Sequence, residues 1–98
     1  MIRLIIHAPT AEALKRAKHN LVNLLASEPD AAVELVANGS AVGAAIAGPS
    51  SEFTPYLVLC ENSLRSMQIE KPEGFRTTDA AVAHIARREA DGWGYFRA

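Results

Sequence analysis

Short apolar runs alternate with helical stretches along the whole chain, and this alternation limits the folds that the sequence can adopt. The runs that predict strands are residues 1–7, 31–38, 56–60, a short segment at 75–76, and 93–98. Helical stretches separate them at residues 10–28, 40–48, 61–69 and 79–91. Strict alternation of this kind is typical of a mostly parallel sheet with helices on both sides. The sequence therefore predicts one α/β domain with five strands, spanning residues 1–98.

The first helix has the clearest boundaries. The hydroxyl of Thr10 is placed to cap its first turn, and apolar residues recur at spacings of three and four from Leu14 to Leu25. Pro29 disfavours helix in the residue before it, so we expect the helix to end near Glu28. The segment from 48 to 55, with two prolines and a glycine, is predicted as a loop.

Hydroxyl residues also precede the later helices. Ser40 is the predicted cap of the second helix, and Thr77 or Thr78 is the predicted cap of the last. Gly92 fits the left-handed position that closes a helix. On the last helix, the face predicted to enter the core is formed by Val82, Ile85, Ala86 and Glu89.

Composition excludes several classes of function. The 98 residues are 49% hydrophobic with a net charge of −1, and the basic residues are scattered among acidic ones, which argues against a nucleic-acid partner. The longest apolar run, AVGAAIAG, is far shorter than the roughly 20 residues that a membrane span requires. A single cysteine cannot form an internal disulfide. We therefore expect a cytoplasmic protein that does not contact membranes or nucleic acids.

Polar residues stand where the predicted strands end. They are His7, Asn38, Cys60, and Thr77 or Thr78. Ligands of parallel sheets gather at the carboxyl ends of the strands, where helix N-termini present unpaired N–H groups. We therefore expect these residues to lie near one another and to include a ligand site.

Cys60 has two interpretations that its position leaves open. A thiol at the start of a helix has its thiolate stabilised by the helix dipole, and Arg65 is close enough in sequence to add positive charge, whereas Glu61 opposes a thiolate. Alternatively, Cys60 ends a buried strand and acts as a small hydrophobic residue, as free cysteines often do.

Other chemistries fit the sequence poorly. A phosphatase-type loop needs one residue more between its cysteine and arginine than separates Cys60 from Arg65. His7 is the one histidine at a strand end that is suited to act as a base for a nucleophilic cysteine, because His19 and His84 are predicted on solvated helix faces. The glycines around residues 39–43 lack the pattern of a nucleotide-binding loop. We expect no metal site and no cofactor.

Two segments resemble the DsrE/DsrF-like proteins of sulfur relay. LVLCENSLRSMQI, at 57–69, is similar to that family's stretch around its cysteine, and EGFRTTDAAVAHIARREADGWGYFRA is similar to its final strand, helix and strand. LVANGSAV resembles its second strand and Asn-Gly turn, and the opening 25 residues are similar to its first strand and helix. The resemblance covers nearly the whole chain, and the segments at 57–69 and 92–95 are its most specific parts.

The resemblance implies a three-layer α/β/α domain of the flavodoxin-like type that assembles as a trimer or a hexamer. It also implies that Cys60 accepts sulfane sulfur as a persulfide and passes it between partner proteins, a carrier role rather than turnover of a small substrate. The residues expected to hold the charged sulfur or another anion are His7, Asn38, Gly39, Asn62, Ser63 and Arg65.

A second function remains open on the same residues. The protein is then an oligomeric binding module whose pocket holds a small anion, and Cys60 only lines that pocket. A third possibility is an interaction protein in which the oligomer surface matters and the pocket does not.

Overall fold

The computed structural model describes residues 1–48 and 51–98. Its strands are β1 (Arg3–Ala8), β2 (Ala32–Ala37), β3 (Leu57–Cys60), β4 (Arg76–Thr78) and β5 (Gly94–Arg97). Its α-helices are α1 (Ala11–Ser27), α2 (Ser40–Ile46), α3 (Glu61–Ser66) and α4 (Ala81–Ala90). A 3₁₀ turn at Thr54–Tyr56 leads into β3. Pro49 and Ser50, which belong to the predicted loop at 48–55, lie outside the described residues.

All five strands run parallel in one sheet, in the order β4-β3-β2-β1-β5. The chain adds its first four strands in one direction, and α4 then carries it back to place β5 beside β1. Right-handed crossovers require that a reversal of direction moves the connecting helix to the opposite face of the sheet. The fold is therefore three-layered, with α1, α2 and α3 on one face and α4 on the other, which confirms the predicted α/β/α architecture.

The two faces have separate cores because neighbouring residues of a strand point to opposite sides. Leu35 and Leu59 pack beneath α1, α2 and α3 in the larger core. On the other face, Val36, Val58 and Cys60 pack with residues of α4 in a smaller one. The five-stranded sheet thus has one well-covered face and one face covered by a single helix.

Helix α1 begins and ends where the sequence predicts. Thr10 caps it, with its Oγ1 accepting from the backbone N–H of Ala13 at 3.0 Å. The last helical residue is Ser27, next to the Glu28-Pro29 pair. A stripe at spacings of three and four faces the sheet and is fully buried, and it consists of Ala13, Leu14, Ala17 and Leu21.

Two predicted caps are wrong. Gly39 is the N-cap of α2, and Ser40 is the first helical residue, whose Oγ accepts from the N–H of Ala11 at the start of α1. Thr77 and Thr78 extend β4 and pair with the end of β3, so the strand continues past the point where a cap was predicted. Helix α4 begins at residue 81 without a side-chain cap. Strand pairing with β3 therefore overrides the local helix-start pattern.

The orientation of α4 also differs from the prediction in one respect. Ala81 and Ile85 pack against the sheet as expected. Val82, predicted to enter the core, is 77% exposed because it lies one position round the helix from that face. Gly92 has φ +91° and closes the helix as predicted. Within the described ranges, no helix is both long and apolar enough to cross a membrane.

Candidate functional site

Cys60 lies at the carboxyl end of β3, in the centre of the smaller core. Its side chain is 5% exposed, and its Sγ accepts a hydrogen bond from the backbone N–H of Ala81 at 3.4 Å. Ala81 is the first residue of α4, whereas Cys60 itself directly precedes α3. The sulfur therefore lies against the beginnings of two helices on different chain segments.

The surroundings of Cys60 favour its ionised form. Burial raises the pKa of the thiol, but the backbone N–H groups of Ser63 and Ala81, the Ser63 hydroxyl and the N–H of Asn62 together outweigh that effect. The pKa of Cys60 consequently lies below the ordinary value for a thiol. A thiol that only filled the core would show the opposite shift, because an apolar pocket disfavours the charge.

His7 and Asn38 come together as the sequence predicts. The Nε2 of His7 and the Oδ1 of Asn38 are 2.7 Å apart, and the Nδ1 of His7 is 2.7 Å from the hydroxyl oxygen of Tyr95. Because the Asn38 oxygen can only accept, Nε2 carries the proton and Nδ1 accepts from Tyr95. These residues line a groove of about 230 Å³ beside α4. Cys60 does not line this groove, and Ala81 lies between the two.

Gly39 and Ser63 form a second contact between predicted site residues. The N–H of Gly39 donates to the Oγ of Ser63 at 2.9 Å. Both residues line a cleft of about 460 Å³ on the other side of the β3–α3 junction, which the structure also lines with Ser40, Asn62, Ser66 and Met67. Ser63 thus joins this cleft to Cys60, since its hydroxyl and N–H also bond to the thiol.

Arg65 does not join either group. Its guanidinium donates to the Oδ1 of Asn62 on the exposed side of α3, and it lines a separate cleft together with Glu61 and Lys71. Glu61 accepts from the hydroxyl of Thr77 at 2.5 Å. The predicted site is therefore divided among three surfaces, with the buried Cys60 between the first two.

Sequence reasoning missed Glu34, a buried carboxylate in the middle of β2. Its side chain is 4% exposed and accepts hydrogen bonds on both oxygens. Oε1 contacts Nε2 of His84 at 2.8 Å and Nε of Arg88 at 3.0 Å, and Oε2 contacts a second nitrogen of Arg88 and one of Arg76, each at 3.0 Å. The signal in the sequence was an acidic residue inside an otherwise apolar strand, because such a charge needs a partner.

The cations around Glu34 determine its ionisation. Burial raises the pKa of the carboxyl, but the hydrogen bonds and charges of Arg88 and His84 lower it further, to about 2. His84, predicted on a solvated face, is instead part of this cluster, with its side chain 15% exposed. Arg88 lies over the ring of Trp93 with 4.8 Å from guanidinium carbon to ring centre, so its flat group is held between an anion and an aromatic face.

The part of the chain that the structure describes contains no group of three histidine, cysteine or acidic side chains arranged to hold a metal ion.

Comparison with known proteins gives a likeness of fold. No family model and no curated protein matches the chain. Among solved structures, it is similar to a protein of unknown function, MTH1491 from Methanobacterium thermoautotrophicum, with 24% sequence identity and a TM-score of 0.83. The similarity covers 100% of both chains. At this level of identity, the likeness shows that the two proteins share the complete three-layer architecture.

Proposed function

We propose that this protein is a sulfur carrier that accepts sulfane sulfur as a persulfide on Cys60. The observation that supports the proposal is the set of donors around the sulfur, which come from Ala81 on one side and from Ser63 and Asn62 on the other. Donors that favour a thiolate also favour the persulfide anion, which carries the same charge one atom further out. The similarity of residues 57–69 to the cysteine segment of DsrE/DsrF-like proteins supports the same function.

The transfer step needs no cofactor. The Cys60 thiolate attacks the outer, sulfane sulfur of a donor persulfide, a new S–S bond forms on Cys60, and the donor's S–S bond breaks. The donor leaves as a thiolate with the electron pair of the broken bond, so no external oxidant is consumed. Delivery is the same exchange with an acceptor thiolate attacking the outer sulfur. Because the chain has one cysteine, the persulfide has no internal thiol that would displace it.

The same proposal includes partners and assembly. A carrier exchanges sulfur with a donor protein and an acceptor protein, and the sequence resemblance implies a homo-oligomer, a trimer or a hexamer, in the cytoplasm. Exposed apolar side chains on α4 and β5 are consistent with self-association, and they are Val82, Tyr95 and Phe96. As Cys60 is only 5% exposed, a slender inorganic polysulfide is the donor best suited to reach it in the isolated protein.

Intact-mass spectrometry after incubation with polysulfide tests the proposal. We expect the reduced protein to gain the mass of one sulfur atom, to lose it on treatment with a reducing thiol, and to show no gain when Cys60 is replaced by Ser. The Cys60→Ser variant must keep the native circular dichroism spectrum, which makes it a fair control. A wild-type protein that takes up no sulfur while remaining folded contradicts the carrier function.

A small-anion binding module is the second candidate, favoured by the 460 Å³ cleft at Gly39, Asn62 and Ser63. This function predicts that phosphate or sulfate raises the melting temperature by binding the native state. Cys60→Ser leaves that increase unchanged, because the thiol does not line the cleft. Ser63→Ala reduces it. If neither anion changes the melting temperature, the binding module is wrong.

A further inference from the structure

Helix α4 has two contacts with the sheet that matter for Cys60. At its beginning, the N–H of Ala81 is 3.4 Å from the thiol sulfur. Further along, one and two turns away, His84 and Arg88 bind the carboxylate of Glu34. This helix is the one α-helix that the described residues place on its face of the sheet, and no helix packs beside it there to fix its position. What holds α4 in register therefore also decides where the N–H of Ala81 points.

The bonds to Glu34 fix α4 in two directions. His84 and Arg88 are four residues apart, so they lie on the same face of the helix, one turn above the other. Because both reach the same carboxylate, the helix is prevented from rotating about its axis and from sliding along it. Arg88 contributes two parallel hydrogen bonds, the geometry in which a guanidinium holds a carboxylate most firmly.

The carboxylate itself is held by rigid neighbours. Glu34 belongs to β2, the central strand of the sheet, and its backbone pairs with Ile5 of β1. Arg76 of β4 donates to its second oxygen, and Trp93 packs against the guanidinium of Arg88. The anchor of α4 is therefore part of the sheet rather than a mobile surface ion pair.

We propose that Glu34 is a positioning residue for Cys60: through His84 and Arg88 it holds α4 so that the N–H of Ala81 lies against the sulfur. The inference rests on the proposed function, since it assigns Glu34 to the control of the sulfur-accepting thiol. Without the anchor, the beginning of α4 shifts by the few tenths of an ångström that separate a hydrogen bond to sulfur from a simple contact. The thiolate then loses one of its donors.

The sign of the effect distinguishes positioning from simple electrostatics. Charged groups on the elements around Cys60 are Glu34 on β2, Glu61 and Arg65 on α3, Arg76 on β4, and His84, Arg87, Arg88 and Glu89 on α4. Removing the negative charge of Glu34 lowers the pKa of a nearby thiol if it acts through space. Losing the Ala81 donor raises it. The two explanations therefore predict opposite shifts for Glu34→Gln.

The experiment measures the rate of Cys60 alkylation by iodoacetamide against pH in the folded protein. We expect Glu34→Gln to raise the apparent pKa of Cys60 by about one pH unit. Glu12→Gln serves as the control, because Glu12 is an exposed carboxylate on α1 that pairs only with Lys15 among the described salt bridges. Its profile should match that of the wild type. An unchanged or lowered pKa in folded Glu34→Gln overturns the proposal.

A second variant keeps the test decisive if Glu34→Gln does not fold. Arg88→Lys retains the charge and removes the two-bond contact with Glu34, so electrostatics predicts no change whereas positioning predicts a smaller rise in the pKa of Cys60. Arg87→Lys, at the next position and bonded to Asp79 instead, is its matched control. A profile for Arg88→Lys equal to that of Arg87→Lys overturns the positioning role.

These measurements do not use sulfur, so the two proposals fail separately. A protein that takes up no sulfur but shows both shifts contradicts the carrier function and leaves the role of Glu34 intact. A protein that takes up sulfur and shows neither shift has the proposed function without this positioning residue.

Discussion

Gly39 is the residue whose backbone the fold constrains most. It joins β2 to α2 with φ +57° and ψ −141°, a combination that residues with a Cβ rarely adopt. A Cβ at this position would lie 2.6 Å from the carbonyl oxygen of Pro9. Because the N–H of Gly39 also donates to Ser63, a movement that relieved the clash would disturb the cleft beside Cys60.

We expect Gly39→Ala to lower the free energy of unfolding by about 2 kcal/mol or more, since backbone strain and a backbone contact add together. Two other glycines separate these causes. Gly74 has φ +82° with open space around its Cβ position, and Gly48 has open space without positive φ. Urea denaturation should therefore rank the alanine variants at 39, 74 and 48 from most to least destabilised. Equal losses at 39 and 74 would show that the contact with Pro9 contributes nothing.

At the level of single residues, the sequence predicted what depends on neighbours in the chain and missed what depends on distant ones. Cys60 lies at a strand end before a helix, as its local pattern indicated. The pairing of Glu34 with His84 joins residues 50 positions apart, and no local pattern encodes it. An amphipathic pattern places a histidine on the polar face of a helix, but it does not show that the sheet beneath offers a buried carboxylate.

At the level of elements, the N-terminus of α1 depends on two hydroxyl groups from different parts of the chain. Thr10 accepts from the N–H of Ala13, and Ser40, which follows β2, accepts from the N–H of Ala11. The prediction that Ser40 caps its own helix was wrong because a serine before an apolar stretch looks alike whether it bonds locally or across the sheet. The sequence alone does not reveal which helix such a hydroxyl serves.

Removing these hydroxyls tests that division. Thr10→Ala should lower the free energy of unfolding by about 1 kcal/mol through loss of the cap. Ser40→Ala should also destabilise, and amide hydrogen exchange should show the loss of protection at Ala11 rather than in the first turn of α2. Ser27→Ala, at the exposed end of α1, should change neither quantity by more than about 0.5 kcal/mol. Loss of protection confined to α2 would restore Ser40 as a cap.

At the level of the whole molecule, the alternation of strands and helices was sufficient to predict the layers but not how the helices divide between them. The strand order decides that division, since β5 returns to the side of β1 and sends α4 to the opposite face. A single ten-residue helix over five strands cannot bury that face with apolar contacts alone. The buried ion cluster at Glu34 supplies the remaining attachment, which an analysis of hydrophobic pattern overlooks.

This attachment makes the stability of the whole fold depend on pH in a defined window. The pKa of Glu34 is about 2 in the folded protein against an ordinary value of 4.5. A lowered pKa stabilises the fold fully above 4.5, and that contribution disappears as the pH falls towards 2. Its size is about 3 kcal/mol for a buried carboxyl with this shift.

The expected result is a comparison of two pH profiles of unfolding free energy, measured by urea denaturation from pH 7 down to about pH 3. Wild type should exceed Glu34→Gln most at neutral pH, and the difference should shrink as the pH falls below 4.5, because only the wild type has this carboxyl to protonate. The exposed Asp79, whose pKa Arg87 holds down, is present in both proteins and cancels in the difference. Parallel profiles would mean that Glu34 binds its cations no more tightly in the folded protein than water does, and the cluster would then contribute packing rather than charge to the attachment of α4.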